Sequence, residues 1–469
     1  MQNDIKNDLK LFNNLIEEFL DCEVNSPVSE IISTSELQSK LNISLDEGAI
    51  VTEKLKKELT QILNYTPKSS SKRFFNQLYG GRHSKAVLGD LIAVLINNSM
   101  ATYKIAGPQV GIEKEIIKTV SEIIGYKEGY GGTFPTGGSM SNFMSLIMAR
   151  DKKDSNIKNK GIGTNNKLII YTSETSHYSV QKNVSFTGIG KNNIRYINSN
   201  AKGEIQIDML EKQINEDLRN NFIPFYLNAT AGTTVACAFD KVDELVKICK
   251  RHKIWIHLDG AFGGTVIFSK KHKHLVKGIS EVDSFSLNAH KTLGAPLSTS
   301  ILVVKNKEHL YFSFRNEASY LYQTHNNEYN LGQTSFECGR RNNALKLWTM
   351  WKSVGTKGLS SIVEHEFELA KAARNYIEKN PDYTLYDFSQ NLSICFNYKD
   401  YEARDLCSQL YESRTLMIGY GEFKGKRFIR LVIVNFENNK KDILNVFKII
   451  EKFGKEKHKL LKKTTKNVN

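Results

Sequence analysis

Proline is scarce in this chain, 7 residues in 469 against 31 glycines. That composition excludes a collagen-like repeat and a proline-rich disordered chain. Cysteine is scarcer still. Cys22, Cys237, Cys249, Cys338, Cys395 and Cys407 form no Cys-x-x-Cys pair, which excludes zinc ribbons, thioredoxin-type redox sites and a small disulfide-stapled scaffold, and points to reduced thiols. Long apolar runs are missing too. The richest, Leu88 to Ile96, contains Asp90 and falls far short of the ~20 residues that cross a bilayer. Asp, Asn and Lys interrupt the apolar residues of Met1 to Leu20, so no signal peptide is expected. There is no internal repeat and no low-complexity block. The expectation is a cytoplasmic protein that does not contact membranes.

What is present is ordinary for a globular chain: 40% hydrophobic and 25% charged residues, with length for about three units at roughly 150 residues each. The net charge of +15 is the unusual number. A nucleic-acid or membrane binder gathers such an excess on one face or arm. Here it is spread as single lysines among Asn and Glu, apart from the tail Lys455 to Lys466. That tail reads as a solvated, partly frayed terminus, and no nucleic-acid partner is expected.

The first 65 residues read as helical, with Leu15, Leu20 and Leu41 as anchors, ending at Thr66-Pro67. Asp151 to Asn166 reads as a polar surface loop. From Lys167 onward, short apolar strands alternate with helices: strands at Leu168–Tyr171, Phe222–Leu227, Ile254–Leu258, around Phe285 and at Ile301–Val304, and a helix over Lys241–His252. Its Val242, Leu245, Val246 and Cys249 fall at i, i+3, i+4, i+7. Such alternation predicts βαβ units and a mostly parallel sheet covered on both faces. A smaller α+β repeat follows: strand Leu392–Phe396, helix Tyr401–Ser413, strand Phe428–Val434 and helix Lys441–Phe453.

Functional groups in such sheets lie at the carboxyl ends of the strands, and five strand-end or loop segments are chemically unusual. Gly131 to Ser139 feeds a helix whose buried face is predicted to be Met140, Phe143, Met144 and Ile147. It is either a structural turn or an anion cradle at a helix N-terminus. It matches neither the P-loop nor Gly-x-Gly-x-x-Gly. His177, after the first strand, could stack on a planar ligand, bind metal or cap the next helix. Ala229 to Thr234 suits a tight polar pocket or a plain turn. Asp259 ends an apolar strand and Lys291 closes another; each is a surface charge or a catalytic group. Taken together, an anion cradle, an imidazole, a lone carboxylate and a lysine are what pyridoxal 5′-phosphate requires. The carboxylate would keep the ring nitrogen protonated; two unit charges about 4 Å apart interact by roughly 4 kcal/mol at an effective dielectric near 20.

From about Arg73 to the C-terminal domain, the chain resembles the group II pyridoxal-phosphate-dependent decarboxylases, in their glutamate, aspartate and cysteine-sulfinate branch. The likeness rests on Phe74-Phe75-Asn76-Gln77-Leu78, Asn228 to Thr234, Ala238-Phe239-Asp240, Asn288-Ala289-His290-Lys291, Cys338-Gly339-Arg340 and Leu345-Lys346-Leu347-Trp348. The resemblance implies an α/β enzyme of fold type I: a helical N-terminal segment, 1–72, forming a dimer arm, a cofactor-binding large domain, 73–365, with a mostly parallel seven-stranded sheet, and a small α+β domain, 366–469. It implies a homodimer.

By the same resemblance, Lys291 carries the cofactor covalently, His290 contacts its phosphate and Asn288 the cofactor, Asp259 faces the pyridine nitrogen, and Ala261 packs under the ring. His177 stacks on it, Thr234 contacts it, and Gly138-Ser139 form the phosphate loop. Tyr320, in a loop beyond the lysine, matches the tyrosine that protonates Cα after carbon dioxide leaves. Gln77 and Arg430 match substrate-carboxylate ligands, and Tyr79 and Ser99 fall at positions that differ between branch members. An aromatic with Ser looks more like the cysteine-sulfinate pattern, and a shortened pocket favours four-carbon-sized acids; one side chain shifts affinity by only ~1–3 kcal/mol. Beside an acidic substrate, the +15 adds weak attraction. Gly260, Phe262, Ala289 and Lys104 depart from the family pattern.

The competing readings are an aromatic amino acid decarboxylase of the same group, another pyridoxal enzyme such as an aminotransferase or carbon–sulfur lyase, a metal hydrolase using His257, Asp259 and His290, and a basic nucleic-acid binder. The hydrolase has one argument: His257-x-Asp259 places both side chains on one strand face. Nothing else in the chain has metal-ligand spacing, so no metal is expected.

Overall fold

The computed structural model describes residues 4–45, 47–163, 165–323, 327–388 and 390–466, with the side chains of 25, 327 and 457–466 outside the description. In chain order the strands are β1 (Phe74–Phe75), β2 (Gly131–Thr133), β3 (Leu168–Ser173), β4 (Ile194–Ile197), β5 (Ile223–Thr230), β6 (Trp255–Gly260), β7 (Ser284–Asn288), β8 (Ser300–Val304), β9 (Tyr383–Tyr386), β10 (Ser393–Tyr398), β11 (Met417–Phe423) and β12 (Lys426–Val432). The chain divides into two compact units. The larger holds Arg82–Ala370 and Asp387–Ser393, and the smaller Met1–Gly81, Lys371–Tyr386 and Ile394–Asn469.

The larger unit is built on a seven-stranded sheet in the order β2-β8-β7-β6-β5-β3-β4. The run β4-β3-β5-β6-β7 is parallel, and β8 is antiparallel to both neighbours. Every residue of β3, β6, β7 and β8 is buried, as two-sided coverage requires. The register sets Thr230 beside Asp259 and Asp259 beside Ser286, which draws the polar strand ends together.

The helix Gly138–Lys153 crosses this sheet, but not on the face its apolar spacing predicts. Of Met140, Phe143, Met144 and Ile147, only Met144 is buried; the deep positions include Ser141, Asn142, Ser145, Met148 and Ala149. Small residues let the helix lie close to the strands, and the larger apolar ones fill its flanks. The helix also reaches Lys153, and Ile157–Lys160 forms another turn of helix, inside the segment expected to be a loop.

In the smaller unit the first 65 residues are only partly helical. Ile5–Asn25 and Thr52–Tyr65 pack on each other, with one short helix, Leu37–Lys40, between them. Leu15 and Leu41 are buried, whereas Leu20 is exposed and anchors nothing within the chain. The sheet order is β1-β11-β12-β10-β9. Strand β1 runs parallel to β11, with Phe74 beside Met417 and Phe75 beside Ile418. This pairing ties the N-terminal segment to the C-terminal one in a single unit, where the sequence reading has two. The last helix runs Lys440–Lys466, so the expected frayed tail is helical backbone as far as it is described. The side chains beyond 456 lie outside the described residues.

Candidate active site

Four of the five parallel strands of the larger unit, β3, β5, β6 and β7, end by delivering a polar group to one place. The segment after β3 brings His177, that after β5 brings Thr234, β6 brings Asp259 and Ala261, and β7 brings Asn288, His290 and Lys291. Gly138 and Ser139 begin the crossing helix there. All nine line one cavity of ≈ 250 Å³, together with Asn142, Tyr178, Thr230, Gly232 and Phe262.

Asp259 is buried at the cavity floor. Its Oδ2 accepts from Asn142 Nδ2 at 2.7 Å and its Oδ1 from the Ala261 N–H at 3.0 Å. Gly260 has a local reason: a Cβ there would lie 2.5 Å from Phe285 Cε2 and 2.6 Å from Ser286 O. Gly138 is less tightly held: its Cβ would stand 3.0 Å from Asn288 Nδ2 and 3.1 Å from Ala261 Cβ.

Lys291 follows β7 on the short helix Ala289–Thr292. Burial pushes its amine pKa down, and Asp259 opposes that shift, so the site favours the neutral, nucleophilic amine. Both neighbouring imidazoles are also held neutral by burial: His290 is pushed down to about 4, and His177 is lowered. The Thr299 N–H donates to His290 Nδ1 at 2.9 Å and the Ser179 N–H to His177 Nδ1 at 3.3 Å. In each neutral ring the proton therefore sits on Nε2. His290 Nε2–H and the helix start at Gly138-Ser139 are donors suited to an anion.

Two further observations fit a polar, planar ligand. Thr230 Oγ1 and Asn288 Oδ1 are buried without a protein partner, and both residues line the cavity; such groups are costly unless a ligand or water satisfies them. The lining otherwise includes the small residues Gly232 and Ala261 and the aromatic Phe262. A buried lysine whose amine pKa is lowered, a fixed carboxylate and an anion cradle at the carboxyl edge of a parallel sheet define a pyridoxal-phosphate enzyme of fold type I. Among the described residues, no group of three or more His, Cys, Asp or Glu side chains could hold a metal ion.

Comparison with known proteins leads to the same class. Residues 35–399 match the family described as Pyridoxal-dependent decarboxylase conserved domain. The mouse acidic amino acid decarboxylase GADL1 is 32% identical over 456 residues, spanning 92% of this chain and 83% of that one. The rat cysteine sulfinic acid decarboxylase is 32% identical over 431 residues, 87% of each. The crystal structure of mouse CSAD superposes with a TM-score of 0.91 at 29% identity, covering 96% of this chain and 99% of that one. The chain belongs to the pyridoxal-dependent decarboxylase family, and it is a pyridoxal-phosphate-dependent carboxy-lyase.

The other residues expected at the site have the following surroundings. Tyr320 is 79% exposed, in the turn at 318–321, and does not line the cavity. Ser99 accepts from the Ala101 N–H and borders a separate groove with Asn98, Gly339 and Arg340. Lys104 donates to Gln323 Oε1 at 2.9 Å. Gln77, Tyr79 and Arg430 belong to the smaller unit. There Arg430, on β12 beside Gly419, donates from Nη2 to Asn76 O at 3.2 Å, so the guanidinium adjoins the turn that carries Gln77. Tyr79 packs near Phe74, with ring centroids 6.1 Å apart.

Asn142 and Tyr178 are lining residues that the sequence reading missed. Tyr178 carries no signal beyond following His177. Asn142 has one: a polar residue four places after Gly138, in a helix otherwise read by its apolar stripe.

Proposed function

We propose that this decarboxylase acts on a small acidic L-amino acid, glutamate, aspartate or cysteine sulfinate, releasing carbon dioxide and the corresponding amine. The observation that carries the substrate class is the match, over most of both chains, to relatives named for acidic amino acids and cysteine sulfinic acid. The Arg430 guanidinium, which adjoins the turn that carries Gln77, supports it, since arginine pairs with carboxylates.

Bound pyridoxal phosphate would supply the electron sink for loss of the α-carboxylate. The chain's residues would hold it: Lys291 would present its amine for covalent attachment, Asp259 would pair with the pyridine nitrogen, and His177 and Ala261 would pack on the ring. Gly138, Ser139 and His290 would bind the phosphate, and Thr234 and Asn288 would complete the cofactor contacts. Gln77 and Arg430 bind the substrate carboxylate, with Tyr79 and Ser99 tuning size. Tyr320 returns the proton to Cα, so the product leaves as amine.

The protein works as a cytoplasmic homodimer, and residues 1–72 contribute to its interface. Free thiols at all six cysteines agree with a reducing compartment. Among the described residues no helix is long and apolar enough to cross a membrane. The helix Ser84–Ile96 supports the dimer. It buries its small residues Ala86, Gly89 and Ala93 and exposes Leu88, Leu91, Ile92, Val94, Leu95 and Ile96, the inverse of a surface helix.

The test is carbon dioxide release from aspartate, glutamate, cysteine sulfinate and aromatic amino acids. Release from the acidic substrates, abolished together with the cofactor's protein-bound absorbance by Lys291→Ala, is the expected outcome. Preference for an aromatic substrate overturns the assignment of substrate class.

A further inference from the structure

Behind the cofactor cavity, a line of buried polar side chains runs from the sheet into the crossing helix. The Trp255 Nε1–H donates to Ser284 Oγ at 3.0 Å, Ser284 Oγ lies 2.9 Å from His257 Nδ1, His257 Nε2 lies 3.0 Å from Asn142 Oδ1, and Asn142 Nδ2 donates to Asp259 Oδ2 at 2.7 Å. All five residues are buried. We infer that Asn142 is a positioning residue for Asp259, and that its amide is oriented by this one-way chain of donors headed by Trp255.

The direction of the chain follows from its ends. Indole is a donor only, and an ionised carboxylate accepts only. Ser284 Oγ also lies 2.9 Å from Ser145 Oγ. Because the Asp259 carboxylate draws the Asn142 amide nitrogen and leaves the carbonyl oxygen for His257 Nε2–H, the Ser284 proton goes to His257 Nδ1 and its oxygen accepts from Trp255 and Ser145. The neutral imidazole then carries its proton on Nε2, which the Asn142 carbonyl oxygen accepts, and the Asn142 amide nitrogen must turn toward Asp259. Burial keeps the ring neutral, holding the His257 pKa down at about 4. The second Asn142 amide hydrogen reaches Ser179 Oγ at 3.2 Å, and the Ser179 N–H holds His177. One amide thus steadies both the carboxylate under the pyridine nitrogen and the stacking imidazole.

A helix face against a sheet normally takes apolar residues, and a buried asparagine there is costly unless its groups are met. Here three hydrogen bonds meet them: one ends on Asp259, which lines the cavity, and another on Ser179, whose N–H donates to His177. Packing alone does not ask for this arrangement.

This inference rests on the reading of Asp259 as the pyridine-nitrogen partner, and the test separates the two. The holoenzyme and the variants Asn142→Leu, Ser284→Ala and Asp259→Asn are compared for apparent affinity for pyridoxal phosphate, for the pH dependence of the bound cofactor's absorbance, and for kcat and KM. A hydrogen bond to a charged group is worth enough that Asn142→Leu should weaken cofactor binding by about 10- to 100-fold. It should also displace the absorbance–pH profile and lower kcat with KM little changed. Ser284→Ala should move affinity and profile in the same direction by less. Ser284 does not line the cavity, so that variant carries the test alone if Asn142→Leu does not fold. Wild-type affinity and profile in a folded Asn142→Leu, or in Ser284→Ala if only that folds, overturn the inference when Asp259→Asn loses both. If Asp259→Asn also binds and titrates as wild type, the reading of Asp259 falls, and the inference with it.

Discussion

His257 shows how one residue can be chemically prominent and yet not reactive. Its ring is fully buried, its pKa is held down at about 4 against an ordinary 6.5, and its two nitrogens lie within hydrogen-bond distance of Ser284 Oγ and Asn142 Oδ1, so it works as a fixed neutral hydrogen-bond relay. Folding therefore competes with protonation. A histidine whose pKa is depressed by folding contributes full stability above about 6.5 and loses it as pH falls toward about 4. His290 acts in the same sense, whereas Asp240, pushed up to about 7 by burial, gains stability over that descent. Comparison with His257→Gln isolates one imidazole. The stability advantage of wild type over His257→Gln should shrink by up to about 3 kcal/mol between pH 7 and 4, from about 1.4 kcal/mol per pKa unit, measured by urea unfolding. A difference that does not change with pH would show that the ring is not held neutral.

At the scale of elements, the strand ends were legible in the sequence, because a charge or an imidazole closing an apolar run stands out against it. The crossing helix was not. Its apolar residues mark a stripe at helical spacing, but the residues that touch the sheet are those small enough for close approach. Asn142 lies on that hidden stripe, which is why it escaped a reading by hydrophobic spacing. The Cys338-Gly339-Arg340 motif was legible only as family likeness. The structure adds its physical content: Arg340 donates from Nη1 and Nη2 to the Glu113 carboxylate at 2.8 and 2.5 Å, fully buried, locking the segment before helix Ala344–Glu378 onto helix Pro108–Ile124. Removing one partner strands the other charge. Glu113→Gln should cost about 3–5 kcal/mol, and the double variant Glu113→Gln, Arg340→Leu less than that single one. Urea unfolding of the two variants checks this; a double variant weaker than the single one would count against the pair as the cause.

For the whole molecule, the run Leu88 to Ile96 changes meaning. As sequence it is the richest apolar stretch and too short for a membrane. In the structure its small residues face inward, where a Cβ on Gly89 would lie 2.8 Å from Lys346 Cα, and its large ones face outward. That inversion needs a partner surface, and a second copy of the chain is the one proposed. Val94→Glu, at an exposed position, should keep the monomer folded and shift the mass found by sedimentation from twice 53.3 kDa to 53.3 kDa at micromolar protein. A dimer that persists in this variant would move the interface elsewhere.

By itself the sequence determined the alternation of strands and helices, the polar groups at the strand ends and the cofactor chemistry they serve, because these depend on residue type and short-range order. Only the tertiary structure decided which helix stripe meets the sheet, that β1 joins the N-terminal segment to β11, that burial holds Lys291, His177, His257 and His290 toward their neutral forms, and that an apolar helix faces outward. Each of these depends on what long-range packing brings within a few ångströms, and residue spacing along the chain does not carry that.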